Sequence, residues 1–215
     1  MSHIIDQIHA LQACIADHVT IVLATKYATV PQIGQISEAF PSLIFGENRV
    51  NHGAEKQSAY PTISNPWHFI GHLQRNKVKR VIQDYDLIHS VDSMRLLTEI
   101  QSASLSLNQK TPVLLQFNPL KESTKHGFDA SDLTEILDHT AELTHVSIQG
   151  LMCMAPFTSD QSVIKKTFKK TKQLYDILKQ DGLPLEYLSM GMSNDFQLAI
   201  DEGSNMIRVG SFVFK

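Results

Sequence analysis

From residue 20 to its end, the chain alternates short β-prone runs with longer stretches of helical periodicity, and this rhythm restricts the fold more than any other feature. The runs are 20–25 (TIVLAT), 43–46 (LIFG), 68–71 (HFIG), 87–91 (LIHSV), 113–117 (VLLQF), 147–152 (SIQGLM), 185–188 (LEYL) and 206–209 (MIRV). Helical patterns lie near 30–40, 48–60, 73–84, 93–107, 130–143, 161–181 and 194–202. Strand–helix–strand order calls for right-handed crossovers and a parallel sheet. Eight such strands predict a closed (β/α)8 TIM barrel, compact beside the ~250 residues typical of that fold. A doubly wound open sheet is the other arrangement, but no G-x-G-x-x-G follows the first strand. No linker, repeat or low-complexity tract interrupts 1–215, so a single domain is expected. Ile4, Ile5, Ile8, Leu11 and Ile15 share one helical face, which predicts a covering helix within 1–18. Ser93, Asp129, Ser131 and Ser193 stand where helix N-caps belong.

Charge and cysteine usage exclude several classes. Lys plus Arg number 19 against 22 Asp plus Glu, a net charge of −3, so there is no electrostatic footprint for nucleic acid or an anionic membrane. Cys14 and Cys153 form no C-x-x-C and predict neither a disulfide framework nor a thiolate metal site. The ten histidines show no ligand spacing, so no metal is expected. The first 25 residues hold no Lys or Arg, unlike a secretory or transit leader, and no apolar run approaches ~20 residues. A cytoplasmic protein is expected.

In a barrel the chemistry gathers at the carboxyl ends of the strands. Lys26 closes the first run, and burial between apolar walls there would favour its neutral amine, the form that attacks a carbonyl. The ordinary alternative is a lysine snorkelling from a strand end. Ser189-Met-Gly-Met-Ser193 and Arg208-Val-Gly-Ser211 together read as a phosphate cradle after strands seven and eight, where barrels often bind phosphate. Taken singly, Ser193 is equally an N-cap and Gly210 a turn. Glu47, Asn48, His72, Asp92 and Asn118 also end strands and read as caps or loop residues, and His68 reads as a core histidine. The basic stretch 75–80 reads as a solvated helix face.

The order of these motifs resembles one family. Ala24-Thr-Lys26, Phe45-Gly-Glu-Asn48, Trp67-His-Phe-Ile-Gly71, Gly150-Leu-Met-Cys-Met154, Ser189-Met-Gly-Met-Ser193 and Arg208-Val-Gly-Ser211 are similar to blocks of the pyridoxal 5′-phosphate homeostasis proteins. The resemblance spans about residues 20–214 and implies a fold type III barrel like that of alanine racemase. It implies that Lys26 holds pyridoxal 5′-phosphate as an internal aldimine. It also implies that Ser193, Gly210 and Ser211 hold the phosphate, and that Arg208 faces the pyridine nitrogen. Asn48, His68 and Met190 fall in blocks that line the pocket, and Lys125 matches a lysine near the mouth that accepts cofactor transiently. Tyr-Ala-Thr after Lys26 departs from the usual Thr-Lys-Pro type and removes a second lysine beside the anchor.

The function implied is a non-catalytic carrier that binds the cofactor reversibly on Lys26 and releases it to PLP-dependent apo-enzymes. The alternative is an amino-acid racemase or Schiff-base lyase on the same barrel. Racemases of this type take a second acid/base from an added domain and a dimer partner. The barrel consumes all 215 residues, so a monomer without racemase activity is expected. Tyr27 and Tyr187 are the only tyrosines near strand ends that could serve as that group.

Overall fold

The computed structural model describes residues 2–120, 126–140 and 142–215. Lys125 lies outside them. Eight parallel strands close into a barrel in chain order, β8 returning to pair with β1. They are β1 (Thr20–Ala24), β2 (Ile44–Glu47), β3 (Trp67–Phe69), β4 (Leu87–Val91), β5 (Thr111–Phe117), β6 (Val146–Cys153), β7 (Tyr187–Met192) and β8 (Met206–Val209). The helices are α1 (Ser2–Ala13), α2 (Val30–Ala39), α3 (Val50–Ala59), α4 (Val78–Asp84), α5 (Met94–Ser106), α6 (Leu133–Thr140), α7 (Gln161–Gln180), α8 (Phe196–Asp201) and α9 (Ser211–Phe214). The closed barrel excludes the open sheet.

Local signals set several of these elements. Gln32 accepts the Thr29 N–H at 2.7 Å ahead of α2, and the Ser93 hydroxyl accepts from Leu96 at the start of α5. Asp129 caps the turn Ala130–Asp132 that leads into α6, accepting from the Ser131 N–H. α1 ends at Ala13, short of the expected residue 18, and seats Ile8 and Leu11 in the core. Each such side chain contributes about 1.5–3 kcal/mol by leaving water.

One strand sits further along than its sequence pattern predicts. The run 185–188 places strand seven too early: β7 starts at Tyr187 and continues through the Ser-Met-Gly-Met stretch that reads as a loop. Side chains alternate between the barrel interior and the helices, so as strand rather than loop each residue of this stretch takes one face or the other. Ser189 points inward, while Met190 points outward into the core between strands and helices. Inside the barrel, Val22, Leu87, Leu114, Met152 and Met206 form an apolar plug. Two residues beyond Leu87 and Met206 come His89 and Arg208, which with Ser189 of β7 make a polar layer above the plug.

Among the described residues no helix is long and apolar enough to cross a membrane, and no cluster of three His, Cys, Asp or Glu side chains could hold a metal ion.

Candidate functional site

A cavity of about 360 Å³ opens at the carboxyl ends of β1, β7 and β8. Lys26, Asn48, Ser193, Arg208, Gly210 and Ser211 all line it. Six of the eight residues singled out by sequence therefore meet in one place, although Lys26 and Ser211 stand 185 positions apart.

Lys26 is carried by a tight turn (Thr25–Tyr27) that begins where β1 ends. The expectation of apolar walls around it fails: the side chain is exposed, and its ammonium lies 4.8 Å from the centre of the Tyr27 ring. The Lys215 ammonium approaches the same ring, also at 4.8 Å, so an amine other than Lys26 does stand close by. Hydrogen bonding and charge from Lys26, with the charge of Lys215, pull the Tyr27 phenol below its ordinary value.

The cradle differs from the sequence reading in its donors. Ser193 is not the N-cap of α8, a position that Asp195 holds. Its hydroxyl oxygen instead accepts the backbone N–H groups of Gly210 and Phe212, both at 3.1 Å. Two backbone donors at the start of α9 thus converge on one oxygen, as a nest does for an anion. Gly191, at φ +93°, lets β7 turn into this loop, and an added Cβ would come within 2.7 Å of Ala199 Cβ. Asp195 accepts the Met192 N–H at 2.6 Å and fixes the loop, while burial raises its carboxyl.

Arg208 is buried. Its Nη1 donates to the Ser189 carbonyl at 2.8 Å and the Ser189 hydroxyl at 2.6 Å, and its Nη2 donates to the Cys153 carbonyl at 2.9 Å. Burial lowers it from its ordinary value, yet three acceptors hold the guanidinium. Behind it runs a buried chain: Ser189 Oγ lies 3.1 Å from His89 Nδ1, and His89 Nε2 lies 3.0 Å from His68 Nδ1. Desolvation pushes His68 down to about 4 and His89 well below its ordinary value, so both imidazoles are neutral at pH 7.

Two of the expected lining residues are therefore displaced. His68 does not reach the cavity wall; it packs beneath it against His89. Met190 faces the helices because Ser189 faces the axis, and Met192 takes the wall position instead. Met154, the last residue of the Gly150–Met154 block, lines the cavity with Ala155, Pro156, Phe157 and Thr158, four residues that the sequence does not point to, and together they form one wall. Phe157 is fully exposed at its lip. Also unanticipated is a buried pair beside the turn, in which Lys56 donates to Glu47 Oε1 and, at 2.6 Å, to the Thr25 carbonyl. Among the other strand-end residues, His72 lies 3.4 Å from Asp92, outside this cavity.

The family model for the alanine racemase N-terminal domain matches residues 1–215. The chain belongs to this family. Within it, the chain is 38% identical over 172 residues to the pyridoxal phosphate homeostasis protein of Aquifex aeolicus, covering 80% of this chain and 75% of that protein. It is 35% identical over 200 residues to the Helicobacter pylori protein of the same name, covering 92% and 88%. PipY of Synechococcus elongatus, solved with PLP bound, superposes with a TM-score of 0.91 at 31% identity, covering 99% of this chain and 100% of PipY. Alanine racemase of Clostridium difficile shares the fold at 16% identity and a TM-score of 0.84, over 56% of its own length.

Proposed function

We propose that this protein is a non-catalytic carrier of pyridoxal 5′-phosphate, holding it reversibly through Lys26. The observation that carries the reading is the convergence on one cavity of an exposed primary amine, a two-donor oxygen cradle and a buried guanidinium. These residues fit the group. Ser193 accepts from Gly210 and Phe212, which leaves its O–H to donate to a phosphate oxygen, and an added Cβ at Gly210 would crowd the Ala24 carbonyl at 3.0 Å. The cavity volume lies within the range of small-molecule sites.

When bound, pyridoxal 5′-phosphate supplies an aldehyde, which condenses with an amine with loss of one water and is released by hydrolysis. Lys26 provides that amine from an open mouth. Ser193, whose oxygen the Gly210 and Phe212 N–H groups fix, and Ser211 would donate their hydroxyls to the phosphate through charge-assisted hydrogen bonds, each contributing ~1.5–3 kcal/mol. Arg208, permanently protonated and fixed by Ser189 and Cys153, would present a donor to the ring nitrogen and so would keep that nitrogen unprotonated, which weakens the ring as an electron sink. A weakened sink suits storage better than turnover. Asn48 adds a polar wall beside Lys26. The homeostasis relatives and the PLP-bound PipY support this reading. The protein works as a monomer in the cytoplasm and passes its cofactor to PLP-dependent apo-enzymes, for which the exposed amine and open mouth are suited.

Borohydride reduction followed by peptide mass analysis tests the assignment. The cofactor mass is expected on Lys26, and Lys26→Ala should lose the covalent adduct while retaining weaker, phosphate-dependent binding. Equal affinity for pyridoxal and its phosphate would refute the cradle. Racemisation of alanine, serine or glutamate at about 1 per second or faster would refute the carrier.

A further inference from the structure

Lys56 and Glu47 are both buried, at 6% and 0% exposure, on α3 and at the end of β2. Stability alone gives a poor reason for such a pair, because desolvating two charges often costs as much as their attraction returns. Here the cost is raised further: among the described residues Glu47 Oε2 has no hydrogen-bond partner, and neither has the nearby Tyr85 hydroxyl, which burial and the Glu47 charge hold protonated. Gly53 is the residue that lets α3 lie this close, since an added Cβ would fall 1.9 Å from the Tyr85 oxygen and 3.6 Å from Glu47 Cβ.

What the pair does is geometric. The ladder between β1 and β2 ends at Ala24, one residue before the turn that carries Lys26. Beyond that point the Thr25 carbonyl receives the Lys56 ammonium at 2.6 Å and the Ala28 N–H at 2.9 Å. The Thr25 hydroxyl donates to Glu47 Oε1 at 2.7 Å. Glu47 in turn adjoins Asn48 on the cavity wall. Lys26 itself is exposed, and the side-chain neighbour that holds it, the Tyr27 ring at 4.8 Å, belongs to the same turn, so the direction of its amine follows the turn.

We propose that the buried Lys56–Glu47 pair is a positioning device that clamps the Thr25 turn and so aims the Lys26 amine into the cavity. The proposal rests on Lys26 being the amine that captures the cofactor. Misplacing a reacting group by about 1 Å can cost on the order of 10²-fold, so loosening the clamp should slow capture without touching the phosphate cradle.

The test replaces both charges with apolar groups of similar size, Lys56→Met with Glu47→Leu, to avoid stranding either one. Two readouts are compared: the rate at which borohydride-trapped cofactor accumulates on Lys26, and the affinity for pyridoxine 5′-phosphate, an alcohol that cannot condense with an amine. The expected result is capture at least about tenfold slower with affinity for the alcohol within about threefold. Native capture rates, or an equal loss of both readouts, would overturn the proposal. Should the double variant fail to fold, Thr25→Val removes only the hydroxyl, with its links to Glu47 and to the Gly46 carbonyl, and should show the same split, with Thr25→Ser restoring capture; native capture by Thr25→Val would overturn it equally. Lys26→Ala separates the two levels of the argument, because cofactor still trapped on the protein in that variant refutes the reading of Lys26 and not the clamp alone.

Discussion

Acidification should strain the buried histidine chain first. His68 titrates at about 4 in the folded protein because burial disfavours its cation, against about 6.5 in the unfolded chain. Between those values the unfolded state binds the extra proton, so stability falls as pH drops through 6.5 toward 4 and is fully restored above it. At 1.36 kcal/mol per pH unit, lowering the pH from 7 to 5 removes about 2 kcal/mol through His68 alone. His89, held further down, acts in the same direction. The perturbation that isolates this is His68→Asn, whose amide can replace the Nδ1 contact with His89 at 3.0 Å without a titrating ring. Urea unfolding of both proteins at pH 7 and pH 5 gives the comparison, with every carboxylate common to the two. The unmodified protein should lose about 2 kcal/mol more over this interval than the variant. Parallel losses would refute the argument that His68 is neutral through desolvation, and an NMR titration of the His68 ring would show the same directly.

Two further outcomes follow from the site's geometry. Gly71→Ala places a Cβ 2.1 Å from the Asn48 carbonyl oxygen, a backbone atom that cannot swing aside. It should cost about 1–3 kcal/mol and lower the melting temperature, and an unchanged melt would show that the β2 and β3 ends are not packed this tightly. Because Lys26 is the largest influence holding the Tyr27 phenol down, Lys26→Ala should raise the Tyr27 titration midpoint, read from tyrosinate absorbance. A midpoint unmoved by the substitution would place the Lys26 ammonium away from that ring.

The sequence by itself determined the barrel and the approximate positions of its strand ends. Alternating apolar runs and helical stretches leave few ways to bury eight strands, and local periodicity is a property of neighbouring residues. That was enough to bring Lys26, Asn48, Ser193, Arg208, Gly210 and Ser211 to one rim, since carboxyl ends of parallel strands share a face. It did not carry strand seven through Ser189-Met-Gly-Met192, a stretch that reads as a loop, and so gave those residues no face. As strand, Ser189 points inward and Met190 outward. Nor did it pair residues distant in the chain. His89 meets Ser189 across 100 positions, and a histidine inside an apolar run signals only that some partner must exist. Lys56 lies on a helix of unremarkable polarity, and only the approach of α3 to the end of β2, opened by Gly53, turns it into a buried cation clamped on Thr25. Such contacts depend on barrel closure and on the distance between elements, which tertiary packing sets and no local window of residues encodes.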